Sequence, residues 1–177
     1  TPHRINTTLA SYLLDSTLLN LTATNSTSIT ITLNKDTTAP TTSASATKPD
    51  TSSYSFDTFT KFLPITVTLS CTDTESSCDK TLYCADTSNS CTPSNVYSSQ
   101  IQISTEGTSY IRYRSNDTFS NLENLLSKTF KIDTTNPAVT SNPTSYPGSQ
   151  PLASNGQTVT LNATVTDATS GVQTVKV

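Results

Sequence analysis

The chain has no methionine, no tryptophan, four glycines and one histidine, His3, among 177 residues. Each shortage removes a class of function. A single histidine beside a terminus leaves no positioned imidazole for a Ser-His-Asp or Cys-His arrangement. Four scattered glycines do not build a phosphate-cradling loop. Charged residues are only 13% of the chain, and its ten Lys and Arg are dispersed. With a net charge of −3 and no basic stripe, a nucleic-acid surface is not expected. No apolar run approaches the roughly 20 residues of a membrane span. Helix-period apolar faces are nearly missing too. Only Leu122 to Leu126 hints at a turn, and it reads as a loop leading into a strand. Glu106 and Glu123 read as solvated loop acids without a carboxylate partner, so no enzyme is expected in this segment.

What is abundant is serine and threonine, roughly a third of the chain, a bias that elsewhere accompanies disorder. Here the apolar residues alternate, and threonine, being β-branched, is at home in strands. Ile65, Val67, Leu69 and Cys71 alternate with Thr66, Thr68 and Ser70, which predicts a strand with one buried face. Thr81 to Cys84 begins the next, and Val96-Tyr97 and Ile101 to Ile103 suggest further short strands. Tyr110 to Arg114 places Ile111 and Tyr113 inward and both arginines outward, and Phe130 and Ile132 close the set. The stretch from residue 41 to about Phe62 reads as irregular.

Asp36-Thr37-Thr38-Ala39-Pro40 returns as Asp133-Thr134-Thr135-Asn136-Pro137, 97 positions later, the size of one β-sandwich domain. Each copy follows an alternating run and ends in a proline that keeps the next start extended. The expected organisation is all-β: residues 36–133 a whole domain, 1–35 the closing strands of another, and 134–177 the opening strands of a third. The hairpin of 1–35 is Leu18 to Ala23 and Ile29 to Leu33, turning at Asn25-Ser26-Thr27. Val159, Leu161, Ala163 and Val165 repeat the alternation of Ile65 to Cys71, and Val175 to Val177 reads as a further strand. Half a sandwich exposes its core face and edges. The tail of one chain is therefore expected to complete the head of the next, or the segment is a window of a longer protein. The opening Thr1-Pro2-His3-Arg4, with neither Met nor a signal peptide, fits a processed product or an internal segment.

Cys71 to Cys78 and Cys84 to Cys91 share the pattern C-x-D-T-x-x-S-C. The cysteines are expected as disulfides of an oxidising, extracellular compartment. Local pairing, Cys71 with Cys78 and Cys84 with Cys91, treats the copies as equivalent clips; Cys71 with Cys84 and Cys78 with Cys91 is the alternative. A four-thiolate zinc site is disfavoured, because such sites usually hold a pair two to four residues apart. Asn6, Asn20, Asn25, Asn116 and Asn162 are acceptors for N-linked glycans, at a frequency that chance supplies in so Ser/Thr-rich a chain.

The Asp-Thr-Thr-x-Pro linkers, the Thr-Val-Thr-Leu strands and the Thr-Asp loops resemble tandem immunoglobulin-like domains of archaeal and bacterial surface proteins. These include S-layer-associated proteins, adhesins and extracellular filaments. Such domains often carry Asp-x-x-Gly-Asn before their last strand, where this chain has Asp117-Thr118-Phe119-Ser120-Asn121. The resemblance implies a structural or adhesive role and supplies no catalytic residues. In an immunoglobulin-like sandwich the first-strand start, the second loop and the loop before the last strand meet at one pole. Those places hold Asp36, Asp73 (with Glu75) and Asp117, and the next junction holds Asp133 and Asp167. Hard oxygen ligands gathered there suit calcium, against the plainer expectation that each Asp serves only its own turn. The function expected is a building block of a surface filament, stalk or S-layer-like array, associating head to tail. The runner-up is a carbohydrate-binding or spacer module, for which Tyr97, Tyr110 and Tyr113 are the candidate aromatic surface.

Overall fold

The computed structural model describes residues 35–141 and 163–176. The strands expected at 18–33, Val159 and Leu161 of the alternation expected up to Val165, Val177, and Asn6, Asn20, Asn25 and Asn162 lie outside these residues. Among the described residues the chain is all-β, and no helix is long and apolar enough to cross a membrane.

In chain order the strands are β1 (Thr41–Thr47), β2 (Phe59–Thr60), β3 (Ile65–Thr72), β4 (Cys78–Asp86) and β5 (Asn95–Val96). Then come β6 (Ile101–Ile103), β7 (Gly107–Asp117), β8 (Leu126–Ile132), β9 (Ala138–Ser141) and β10 (Thr164–Thr166). One sheet has the order β1-β3-β6, and a second the order β2-β8-β7-β4-β5. All pairings are antiparallel except β2 with β8. The sheets enclose one core, consistent with a β-sandwich. Ile65, Val67 and Leu69 come from the first sheet, Ile111, Tyr113, Phe130 and Ile132 from the second.

Alternation explains this core directly. From Ile65 to Leu69 and from Ser109 to Asp117 every second residue is buried and the residues between are half-buried, while Cys71, expected inward, is only half-buried. Phe130 is fully buried, stacked on Tyr54 at 5.8 Å and edge-on to Phe56 at 5.5 Å. The Tyr54 hydroxyl donates to Thr58 O at 2.7 Å and accepts from Lys131 N–H at 3.0 Å, so its polar end is satisfied.

Three features depart from the reading of the sequence. The stretch after residue 40 is a seven-residue strand, β1, paired with β3 from Thr66 to Thr72. Its inward residues are Thr42, Ala44 and Ala46, too small and too like their neighbours to produce an apolar contrast. Residues 171–176 form no strand, although Val175-Lys176 alternates. Alternation specifies a face, while a strand also needs a neighbour for its backbone groups. The arginines of β7 are half-buried instead of standing out in solvent, and Arg112 Nη1 donates to Cys91 O at 2.7 Å.

Candidate functional site

The candidate site is the pole where the linker, the β3–β4 turn and the β7–β8 loop meet. Each segment brings one aspartate, and each aspartate is held by donors of its own loop. Asp36 Oδ1 accepts the Thr38 N–H at 2.8 Å, a fold-back that Asp-Thr-Thr makes before Pro40 sends the chain into β1. Asp73 Oδ1 accepts the N–H groups of Glu75 and Ser76 at 3.0 and 2.6 Å and the Ser76 hydroxyl at 3.2 Å. Asp117 Oδ1 accepts the N–H groups of Phe119 and Asn121 at 2.9 and 2.7 Å. Its Oδ2 accepts Asn121 Nδ2–H at 2.7 Å and the Ser76 hydroxyl at 3.3 Å.

Asn121 is the hub. Its amide also donates to Asp36 O at 3.2 Å, joining the linker to the loop. Ser120 beside it sits at φ 67°, the left-handed conformation that lets the chain curl under Asp117. A glycine would adopt this backbone conformation freely.

Ligand oxygens of Asp36, Asp73 and Asp117 all lie within 4.8 Å of one another. Asp36 is fully buried and Asp117 is 1% exposed, while Asp73 is half-buried. Burial pushes the Asp117 carboxyl up, but the Asn121 side chain and the Asn121 and Phe119 N–H groups outweigh it and hold it below the usual range. Asp36 Oδ2 and Asp73 Oδ2 are buried without a hydrogen-bond partner. The arrangement gathers hard oxygen donors from three segments at one place, the donor type that a cation such as calcium takes. Glu75 is exposed and joins only through its N–H.

Asp133 and Asp167 occupy the second junction. Asp133 Oδ1 accepts the Thr135 N–H at 3.0 Å, the same fold-back that Asp36 makes. Asp167 Oδ1 accepts the N–H groups of Thr169, Ser170 and Gly171 at 3.0, 3.0 and 3.2 Å. The Ser170 side chain is the main influence holding the Asp133 carboxyl below its usual range, against the opposing effect of burial. A cleft of about 360 Å³ lies between Lys61, Asp133, Asp167 and residues 170–174.

The disulfides are Cys71–Cys78 and Cys84–Cys91, and among the described residues no cysteine is free. The first straddles Asp73. The second straddles Asp86, whose carboxylate accepts the N–H groups of Asn89, Ser90 and Cys91, each at 2.9 Å. Asn116 lies on β7, its amide donating to Asp79 Oδ2 at 3.0 Å and Asp117 O at 3.1 Å.

Of the two acids read as solvated, Glu106 is exposed and Glu123 departs from that reading. Glu123 is not solvated: it is buried, accepting the Thr42 and Ser115 N–H groups and the Thr42 hydroxyl. Glu106 reaches across to the second linker, accepting the Thr134 N–H at 2.9 Å and its hydroxyl at 2.8 Å. Neither role leaves a local pattern, since Thr42 lies 81 positions from Glu123 and Thr134 lies 28 from Glu106. Of the tyrosines, Tyr113 is buried and Tyr97 packs edge-on to Tyr83 at 6.4 Å. Tyr110 is half-buried, and among the described residues the exposed aromatics are instead Phe59 and Phe62. The chain matches no protein-family model, no curated protein and no solved structure.

Proposed function

We propose that this chain is a structural, extracellular protein: an immunoglobulin-like building block of a surface filament, stalk or S-layer-like array. The carrying observation is how the strands divide at the repeated linker. One core is enclosed by β1 to β8, and the chain past Asp133 starts a separate two-stranded sheet, β9 with β10. Val139 and Val175, beyond that linker, are 66% and 55% exposed. A two-stranded sheet does not sustain itself in water, so an apolar surface of this kind suits a further unit that more strands complete. The parallel β2–β8 pair, with β1 on the opposite sheet, supports the immunoglobulin-like reading, and two disulfides are compatible with an oxidising exterior.

Head-to-tail completion by residues 1–35 of a neighbouring copy is the form of assembly we favour. Light scattering and negative-stain microscopy at rising concentration test it. Beaded fibres that Val139→Asp prevents are the expected result. A monomer at every concentration removes head-to-tail assembly and leaves a segment of a continuous stalk.

The carbohydrate-binding reading is favoured by one observation. Phe59 and Phe62 are exposed, and the ammonium groups of Lys48 and Lys61 lie 5.9 and 5.8 Å from the Phe62 ring centre. Glycan-array binding lost in Phe62→Ala would establish it, and a flat array would remove it.

A further inference from the structure

The three aspartates of the pole divide their oxygens unevenly. In Asp36 and Asp73, one oxygen is fixed by N–H groups of its own loop, and the other is buried with no hydrogen-bond partner. Asp117 completes the trio within 4.8 Å. Loop capping accounts for the first oxygen of each pair and leaves the second unexplained. A buried carboxylate oxygen without a donor is unfavourable, and like charges gathered around it make it more so. A bound cation removes both penalties at once.

We propose that Asp36, Asp73 and Asp117 bind one divalent cation, that calcium is the ion they fit best, and that the Cys71–Cys78 disulfide preorganises the site. The ligand type points to a hard cation, since all the donors are oxygens. Calcium takes oxygens at about 2.3–2.6 Å in irregular geometry, whereas magnesium demands a tight octahedron at about 2.0–2.1 Å. Oxygens spread over as much as 4.8 Å, on three separately anchored loops, suit the larger and more tolerant ion. The anchoring donors around each carboxylate orient it as outer-shell partners orient metal ligands. Asp73 belongs to a turn closed at both ends by Cys71 and Cys78, so the bond restricts the loop that must deliver this ligand.

The consequence is mechanical. Asp36 belongs to the linker, while Asp73 and Asp117 belong to the body of the domain. An ion shared among them fastens the entry of the domain to its own pole. This inference does not depend on head-to-tail assembly and concerns a single chain.

The experiment uses the full chain, stripped of metal with a chelator and titrated with calcium chloride or magnesium chloride. Calorimetry reads affinity, and thermal unfolding reads stabilisation. One calcium per chain, a saturable rise in Tm and at least tenfold weaker magnesium binding are expected. Asp36→Asn should abolish the calcium response yet melt no lower than the parent in chelator, because its amide oxygen still accepts the Thr38 N–H and one of the crowded charges is gone. Glu75→Gln, outside the trio, should respond as the parent does. The double variant Cys71→Ser/Cys78→Ser should lose about tenfold or more in calcium affinity, while Cys84→Ser/Cys91→Ser should not. An unchanged Tm in millimolar calcium, or an undiminished response in Asp36→Asn, overturns the site. Equal calcium affinity in the two cysteine variants overturns the preorganisation.

Discussion

Glu123 accepts two hydrogen bonds from Thr42, one from its N–H at 2.7 Å and one from its hydroxyl at 2.6 Å. This pair fastens the first strand of one sheet to the loop that precedes the last strand of the other. Ser115 adds its N–H to Glu123 at 3.1 Å, and its hydroxyl links those of Thr42 and Thr81 at 2.6 and 2.7 Å. Every donor facing the carboxylate is an N–H or O–H, so an amide in its place turns a donor toward donors. Glu123→Gln should therefore cost about 2 kcal/mol, and Glu123→Ala more, because two buried N–H groups lose their acceptor. Urea unfolding, read as a lower midpoint at unchanged slope, checks this.

Ser120 should yield a gain. Its φ of 67° disfavours a side chain, and glycine adopts it freely. Ser120→Gly should stabilise the domain by about 0.5–1 kcal/mol, the relief of strain outweighing the greater freedom of the unfolded chain. A urea midpoint that falls would show that the Ser120 conformation carries no strain.

Asp86 gives the acid limb of stability. The Ser90 N–H is the largest influence on it; with the Ser88 hydroxyl and the Cys91 and Asn89 N–H groups, it outweighs burial and lowers the carboxyl from 3.8 to about 2. A depressed folded value means that the ionised group favours the folded state. Its contribution is complete above pH 3.8 and disappears as pH falls through about 2. In Asp86→Asn this part of the pH dependence should vanish. Carboxyl NMR titration and unfolding between pH 5 and 2 measure both effects.

Phe130 and the Cys84–Cys91 bond separate packing from chain restriction. Phe130→Ala removes a ring that is fully buried against Tyr54 and Phe56, and should cost about 3–5 kcal/mol. Cys84→Ser/Cys91→Ser opens a loop of sequence separation 7 and should cost about 2–3 kcal/mol. The two losses should differ in heat capacity, since Phe130→Ala removes far more buried apolar surface than the exchange of sulfur for oxygen at Cys84, which is buried too, and calorimetry distinguishes them.

Periodicity determined much of the fold by itself. Ile65 to Leu69, Ile111 with Tyr113, and Phe130 with Ile132 each state a buried face, because a strand turns successive side chains to opposite sides. The repeated Asp-Thr-Thr-x-Pro is likewise local chemistry, with Asp36 and Asp133 each capping the N–H two residues on. Strand β1 stayed hidden because Thr42 and Ala46 are buried, and Ala44 half-buried, by what packs over them, not by their own hydrophobicity. The tertiary structure alone decided that Glu123 reaches Thr42, that Asn121 binds the backbone of Asp36, and that one oxygen each of Asp36 and Asp73 is buried without a partner. Those relationships join residues tens of positions apart. Local pattern carries no record of distances that chain folding sets.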